Sequence, residues 1–418
     1  MAKPSPASLK KVTAENLAGL GAERLADILV EVAETRTDLK RRLRMELAAG
    51  LGPSHLVPEI DKRLAALETS KGQVTWRQKP AFLRDLDAVR GLIADRLAVE
   101  APDAALERLW RFLSTYPRTS GRLKEREAAF EAIYDHASDD LGVLLASHDP
   151  HLAAELLTDA ALSAPQAWAR WTPHVMAALP AATAQRALTL ASGRAESGPG
   201  WTMVVRHLAD AAGDVSAWQA THGELALQTP PVAVALARRW LAVGDIAAAG
   251  QALKRAAPKP KGLLGRLPAP DFDWETAWID YLDAAGEPRL AQDIRWASFQ
   301  RTLDIGRAKA FVSRFDDFDD VEAEAQVLAY AASQADLVQG LRLLMAWPAL
   351  AEASQLIVDK GQDASIAPEE AEAWAGKLRR RFPAAAHKLL RRGAATAFKQ
   401  RAFKLSQRLT EEADAIAL

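Results

Sequence analysis

Between Leu17 and Leu47 the apolar residues recur at steps of three and four, Leu17, Leu20, Leu25, Leu29 and Val32, then Leu39, Leu43 and Leu47. That spacing keeps one face of a helix apolar, so it predicts two helices joined by a turn near Thr35 to Asp38, with Asp38 as a cap. A third helix is expected over Pro58 to Leu67, and Glu68 to Val74 reads as a loop. Phe82, Leu86, Val89, Ile93 and Leu97 share a face, and Pro102 opens a partner helix holding Leu106, Leu109, Trp110 and Leu113. Pro117 and Gly121 close that hairpin; helices over Lys124 to Asp135 and Asp139 to Leu145 follow, and His148-Asp149-Pro150 opens another.

A short signature then recurs, at Gly213-Asp214, Gly244-Asp245 and Gly286-Glu287. Glycine supplies the positive φ that ends one helix, and the acid satisfies the free N–H groups of the next. The intervals of 31 and 42 residues fall in the range of helical-hairpin repeats. Proline-rich Ala256 to Asp271 and Gly193 to Gly200 read as breaks. Further helices are expected over Ala325 to Ala332, after a capping box of Asp319 and Glu322, and over Asp336 to Met345, Pro348 to Val358 and Pro368 to Phe382. Pro383 begins the last one.

Composition agrees with this pattern. Of the 418 residues, 49% are hydrophobic, many of them Ala and Leu, which lose least on entering a helix. Strand-favouring residues form no alternating run, so no sheet is expected. The absence of cysteine removes disulfides, thiolate-held metals and a cysteine nucleophile. The first residues lack the apolar core of a signal peptide, and no stretch approaches the roughly 20 apolar residues that span a bilayer, so the cytoplasm is the expected location and no membrane partner is expected.

Net charge is −1, yet the region from Gly376 to Leu409 holds eleven Lys or Arg residues and no acid. Lys377, Arg379, Arg380 and Arg381 end a helix that starts with Glu369, Glu370 and Glu372, an order the helix dipole favours. Beyond them Lys388, Arg391, Arg392 and Lys399 lie on one helical face, and Arg401, Lys404 and Arg408 follow at i, i+3 and i+7. An unbroken helix would turn the two sets apart, so a bend near Lys399 to Arg401 is needed to merge them. Such a surface suits phosphates bound without sequence preference.

Several stretches together resemble an uncharacterised family of bacterial, mainly alphaproteobacterial, helical proteins carried as a domain of unknown function. They are Trp76-Arg77 with Leu83 to Leu97, Ala105 to Leu113, Leu290 to Trp296, Asp317 to Glu324, and Trp347 to Leu350. The resemblance implies a helical solenoid and no assigned activity.

Other candidate chemistry has simpler explanations. No phosphate-loop, dinucleotide or nucleophile-elbow motif occurs, and Gly262 to Gly265 sits in the proline-rich break without a strand before it. His148-Asp149-Pro150-His151 matches a capped helix start better than a metal site. The acids Asp316, Asp317, Asp319, Asp320, Glu322 and Glu324 lack the glycine and distant glutamate of a calcium loop. Most of the twelve tryptophans lie on apolar faces, Trp168 and Trp171 being the pair least obviously buried.

The expected fold is therefore all-α, an irregular α-solenoid of stacked hairpins of the TPR/HEAT kind, divided into regions 1–70, 71–195, 196–257 and 271–418, with no cofactor. The leading expectation for function is a non-enzymatic scaffold or adaptor for another protein. The alternatives are nucleic-acid binding through Lys388, Arg391, Arg392, Lys399, Arg401, Lys404 and Arg408, and an enzyme whose site is assembled from distant helices.

Overall fold

The computed structural model describes residues 11–125, 128–193, 198–259, 268–316, 318–362 and 364–416. Asp317, Gly262 to Gly265 and parts of both proline- and glycine-rich breaks lie outside them. Among the described residues the chain is helical with no strand; Val74 and Leu123 form one isolated bridge, in which Val74 N–H donates to Arg122 C=O at 2.9 Å. It divides into two compact units, Met1–Glu224 and Leu225–Leu418.

In the first unit, helix Thr37–Gly50 packs on Pro53–Thr69, and Lys79–Gly91 continues through a wider π-helical turn, Leu92–Leu97. From Ala128 to Ala212 each helix touches the next but one: Ala128–Leu145 packs on Pro165–Met176, Pro150–Ser163 on Ala181–Ser192, and Pro165–Met176 on Pro199–Ala212. The apolar stripe of each helix is buried, as with Ile60, Leu64 and Leu67 or Leu86, Val89 and Ile93. Aromatic rings fill the wider gaps. Trp168 and Trp171 are 4% and 2% exposed, in edge contact with each other, and so belong to the core; the nearby Arg170 and Pro173 do not hold them at the surface.

In the second unit, Pro230–Ala242 packs on Ile246–Arg255 and on Phe272–Ala284, and Pro288–Thr302 packs on Phe272–Ala284 and Ile305–Val312. One core cluster then runs from Phe299 to Ile416. It ends in three helices, Pro368–Leu378, Pro383–Lys399 and Phe403–Asp414, packed successively. Gly393 lets the first two approach, since a Cβ there would stand 2.6 Å from the Ala371 Cβ.

Helix ends follow a common construction. Gly213, Gly244 and Gly286 have φ of 68°, 81° and 79°, and the residue after each donates its N–H to the carbonyl five residues back, as in Asp214 to Ala209 and Asp245 to Trp240, both 2.9 Å. Asp214 and Asp245 then cap the following helices, accepting from Ala217 N–H and Ala248 N–H. Glu287 occupies the same position without a capping bond. Asp149 caps as its sequence position requires, accepting from His151 N–H and Leu152 N–H.

Four local expectations are corrected. Asp38 is no cap: Arg36 is the residue before the helix, and its guanidinium grips the Asp38 carboxylate at 2.6 and 2.9 Å, holding its pKa down to about 2. The helix expected from Pro58 starts at Pro53, where proline at the first position needs no hydrogen-bond partner, and Pro58 lies inside it. The two helices expected across Asp135 to Asp139 are one, Ala128–Leu145, because nothing in that stretch breaks a helix. Phe318, at φ 86°, precedes the next helix, so Asp319 lies inside it and no capping box forms.

Few charges are buried, and those have partners. Glu275 is 4% exposed and accepts from Ser298 Oγ at 2.5 Å and from Arg301 at 2.7 Å, joining helices Phe272–Ala284 and Pro288–Thr302. Truncation leaves the buried Ser298 hydroxyl without its acceptor and Arg301 without its counterion. Glu275→Ala is expected to destabilise the second unit by about 2 kcal/mol, below the full cost of breaking a buried pair because Arg301 can turn to water. Urea unfolding of the full chain measures it, with Glu275→Gln falling less.

Candidate functional site

The seven cations singled out in the sequence lie on the last two helices and the corner between them. Helix Pro383–Lys399 buries Leu389, Leu390, Ala394 and Ala397, which leaves Lys388, Arg391, Arg392 and Lys399 on the opposite face. The final segment is two helices, not one. The chain turns at Gln400 to Ala402 and resumes at Phe403, which supplies the bend the two cation sets required.

That corner has the construction of the glycine corners, with one difference. Ala402 N–H donates to Ala397 C=O at 2.9 Å and Arg401 N–H to Phe398 C=O at 3.0 Å, and the left-handed residue, at φ 61°, is Arg401. A side chain in this conformation costs roughly 1 kcal/mol that glycine avoids. Leu303 carries a similar strain, at φ 51°, but packs against the core of the second unit, while Phe318, at φ 86°, and Pro348, at φ 33°, are exposed and uncharged. Arg401 is exposed and makes no such contact.

The seven cations separate into two groups. Lys388 Nζ donates to Val358 C=O at 2.7 Å, Arg391 pairs with Asp414 at 2.6 Å, and Arg408 meets both Glu372 oxygens at 2.8 Å and Glu412 at 2.9 Å. The Arg408 hydrogen bonds hold the Glu372 carboxyl below its usual range. These three tie the terminal helices to one another and to Leu350–Lys360. The side chains of Arg392, Lys399, Arg401 and Lys404 make no hydrogen bond or ion pair among the described residues, and three of those four stand within six positions around the corner.

Two side chains that charge alone does not reveal complete the surface. Phe398 and Phe403 are 63% and 58% exposed, with ring centroids 5.4 Å apart and nearly edge-on. They interleave with Lys399, Arg401 and Lys404. Their signal in the sequence is a pair of aromatics off the buried stripe, on either side of the helix break. Two apolar rings held in water amid unpaired cations offer what a partner with apolar and acidic groups needs.

The other candidates resolve into structural roles. Asp320 accepts from Phe318 N–H at 3.2 Å and Glu324 from the Trp347 indole at 2.6 Å. His148 Nδ1 donates to Leu144 C=O at 2.9 Å, and its Nε2 lies 3.2 Å from Asp103. Among the described residues no three His, Asp or Glu side chains come together as a set that holds a metal ion. No helix among them is long and apolar enough to cross a membrane.

Thermal unfolding separates the two groups of cations. Arg391→Glu and Arg408→Glu place like charges together and are expected to lower the midpoint, whereas Lys399→Glu and Lys404→Glu leave it within about 1 °C. Arg401→Gly is expected to raise it by about 2 °C, by relieving the left-handed strain.

No functionally curated protein matches the chain. A family model does, twice, over residues 7–198 and 194–404, and these two matches take in both compact units. The chain therefore belongs to the family of unknown function DUF6880.

Proposed function

We propose that the chain is a helical-repeat scaffold that binds another protein, and that the corner from Phe398 to Lys404 docks an acidic segment of that partner carrying apolar side chains. The packing of each helix on its neighbour and on the next but one supports an irregular α-solenoid of stacked hairpins, and such arrays offer long surfaces for binding. A cytoplasmic location goes with this reading.

The observation that carries it is Arg401. Elsewhere in the chain the left-handed residue of this corner is Gly213, Gly244, Gly286 or Pro348, none of which carries a charge; here it is an arginine whose side chain has no partner, between two exposed phenylalanines. Strain retained at an exposed position points to a use outside the fold. Aromatic residues and arginine also dominate the energetics of protein interfaces.

A second reading has its own observation: Arg392, Lys399, Arg401 and Lys404 are unpaired, as phosphate-binding cations are. Quantitative affinity capture from native cells decides between them, with wild type, a Phe398→Ala/Phe403→Ala variant and a Lys399→Glu/Arg401→Glu/Lys404→Glu variant run side by side. A common set of proteins that falls at least about tenfold in both variants is expected. Recovery of the same proteins by all three counts against the corner. Loss of the set after nuclease treatment assigns the corner to nucleic acid instead.

A further inference from the structure

The first unit holds a second concentration of cations, unrelated to the corner. Helices Thr37–Gly50 and Pro53–Thr69 pack together and leave an open cavity of about 370 Å³. Its walls carry Lys40, Arg41 and Arg44 from the first helix and Lys62 and Arg63 from the second, with Glu59 as the sole carboxylate of the lining. The spacing explains the convergence: residues 40, 41 and 44 share one side of their helix, as do 59, 62 and 63, and the two sides face each other across the cavity.

The fold neutralises little of this charge. Asp85, buried on Lys79–Gly91, accepts from Arg41 at 3.0 Å and from Arg63 Nε at 2.7 Å, so one carboxylate serves two guanidiniums. The side chains of Lys40, Arg44 and Lys62 have no hydrogen bond or ion pair among the described residues, and neither has that of Glu59. Arg63 has only 10% of its side chain exposed; burial pushes its pKa down, the Asp85 charge opposes that, and Arg41 adds to it. Five cations against Glu59 and Asp85 leave three charges uncompensated around one concave space.

We propose that this cavity binds a compact polyphosphate, a small anion with two or three linked phosphate groups. Its volume lies in the range of small-ligand sites and is too confined for the flat contact a duplex needs. Two or three linked phosphates bring about three to four negative charges, which match the surplus; a single carboxylate does not. The donor set also fits. Asp85 takes Nη1 of Arg41 and both Nε and Nη2 of Arg63, which leaves the remaining N–H groups of Arg41 for a ligand, and the exposed Lys40, Arg44 and Lys62 supply the other donors of the lining.

Titration calorimetry of the full chain with inorganic tripolyphosphate, at about 50 mM salt where screening is weak, tests this. Saturable one-to-one binding is expected, falling at least about tenfold in Lys40→Glu/Lys62→Glu and in the milder Lys40→Gln/Arg44→Gln/Lys62→Gln variant. Those three side chains are exposed, so circular dichroism is expected to be unchanged. The Lys399→Glu/Arg401→Glu/Lys404→Glu variant is expected to bind as wild type does, which keeps the result separate from the corner. A parallel arm with a nucleoside triphosphate names the source: equal affinity assigns recognition to the phosphates alone, and tighter binding adds contacts to the nucleoside, both upholding the site. No saturable binding of either anion, or undiminished binding by the folded variants, overturns it. So does binding of a short duplex where neither small anion binds.

Discussion

Each of these short helices can hide its apolar stripe only against near neighbours in the sequence, so the chain must reverse within two or three residues again and again. Everything else in the structure follows from how those reversals are made. At the glycine corners a reversal combines one residue in the left-handed region, an N–H bond closing five residues back on the ended helix, and an acidic residue to receive the next helix. Gly213 with Asp214 and Gly244 with Asp245 meet all three needs within two residues. Because the reversals are tight, the residues on them stand in solvent, and because they are hydrogen-bonded, they are held still.

The same constraint decides which charges are free. Arginines between stacked helices find carboxylates on the facing helix, as Arg295 does with Asp283 and Arg301 with Glu275. Some cations at a reversal, or facing one another across a helix pair, form no ion pair among the described residues. Lys399, Arg401 and Lys404 are the first kind, and Lys40, Arg44 and Lys62 the second. The surplus at each place is left by the fold, which makes both open to anionic partners. The exposed rings of Phe398 and Phe403 distinguish the corner as a macromolecular surface, and the concavity distinguishes the groove as a small-ligand site.

Features set by neighbours in the chain were legible in the sequence. The helical pattern, the glycine-acid reversals and the Asp149 cap depend on residues within five positions, and so did the requirement for a break near Arg401. Features set by distant partners were not. The seven C-terminal cations look alike in sequence, and only the fold brings Asp414 to Arg391 and Glu372 to Arg408. Asp38 turned away from its expected cap because Arg36, two residues before it, is the stronger partner. Trp168 and Trp171 are covered by helices whose register the local pattern does not fix. The groove is not legible in the sequence because its cations are divided between two helices about twenty positions apart, and each half reads as an ordinary solvated face.

The central claim is that cations the fold leaves unpaired are the ones the protein uses. Lysine acetylation rates, measured by mass spectrometry on the purified chain and on the same chain inside cells, test it most directly. Lys40, Lys62, Lys399 and Lys404 are expected to react fast in the purified protein and to be protected in cells, while Lys388, held by Val358 C=O, reacts slowly in both. Equal labelling of those four lysines in the two settings contradicts the account.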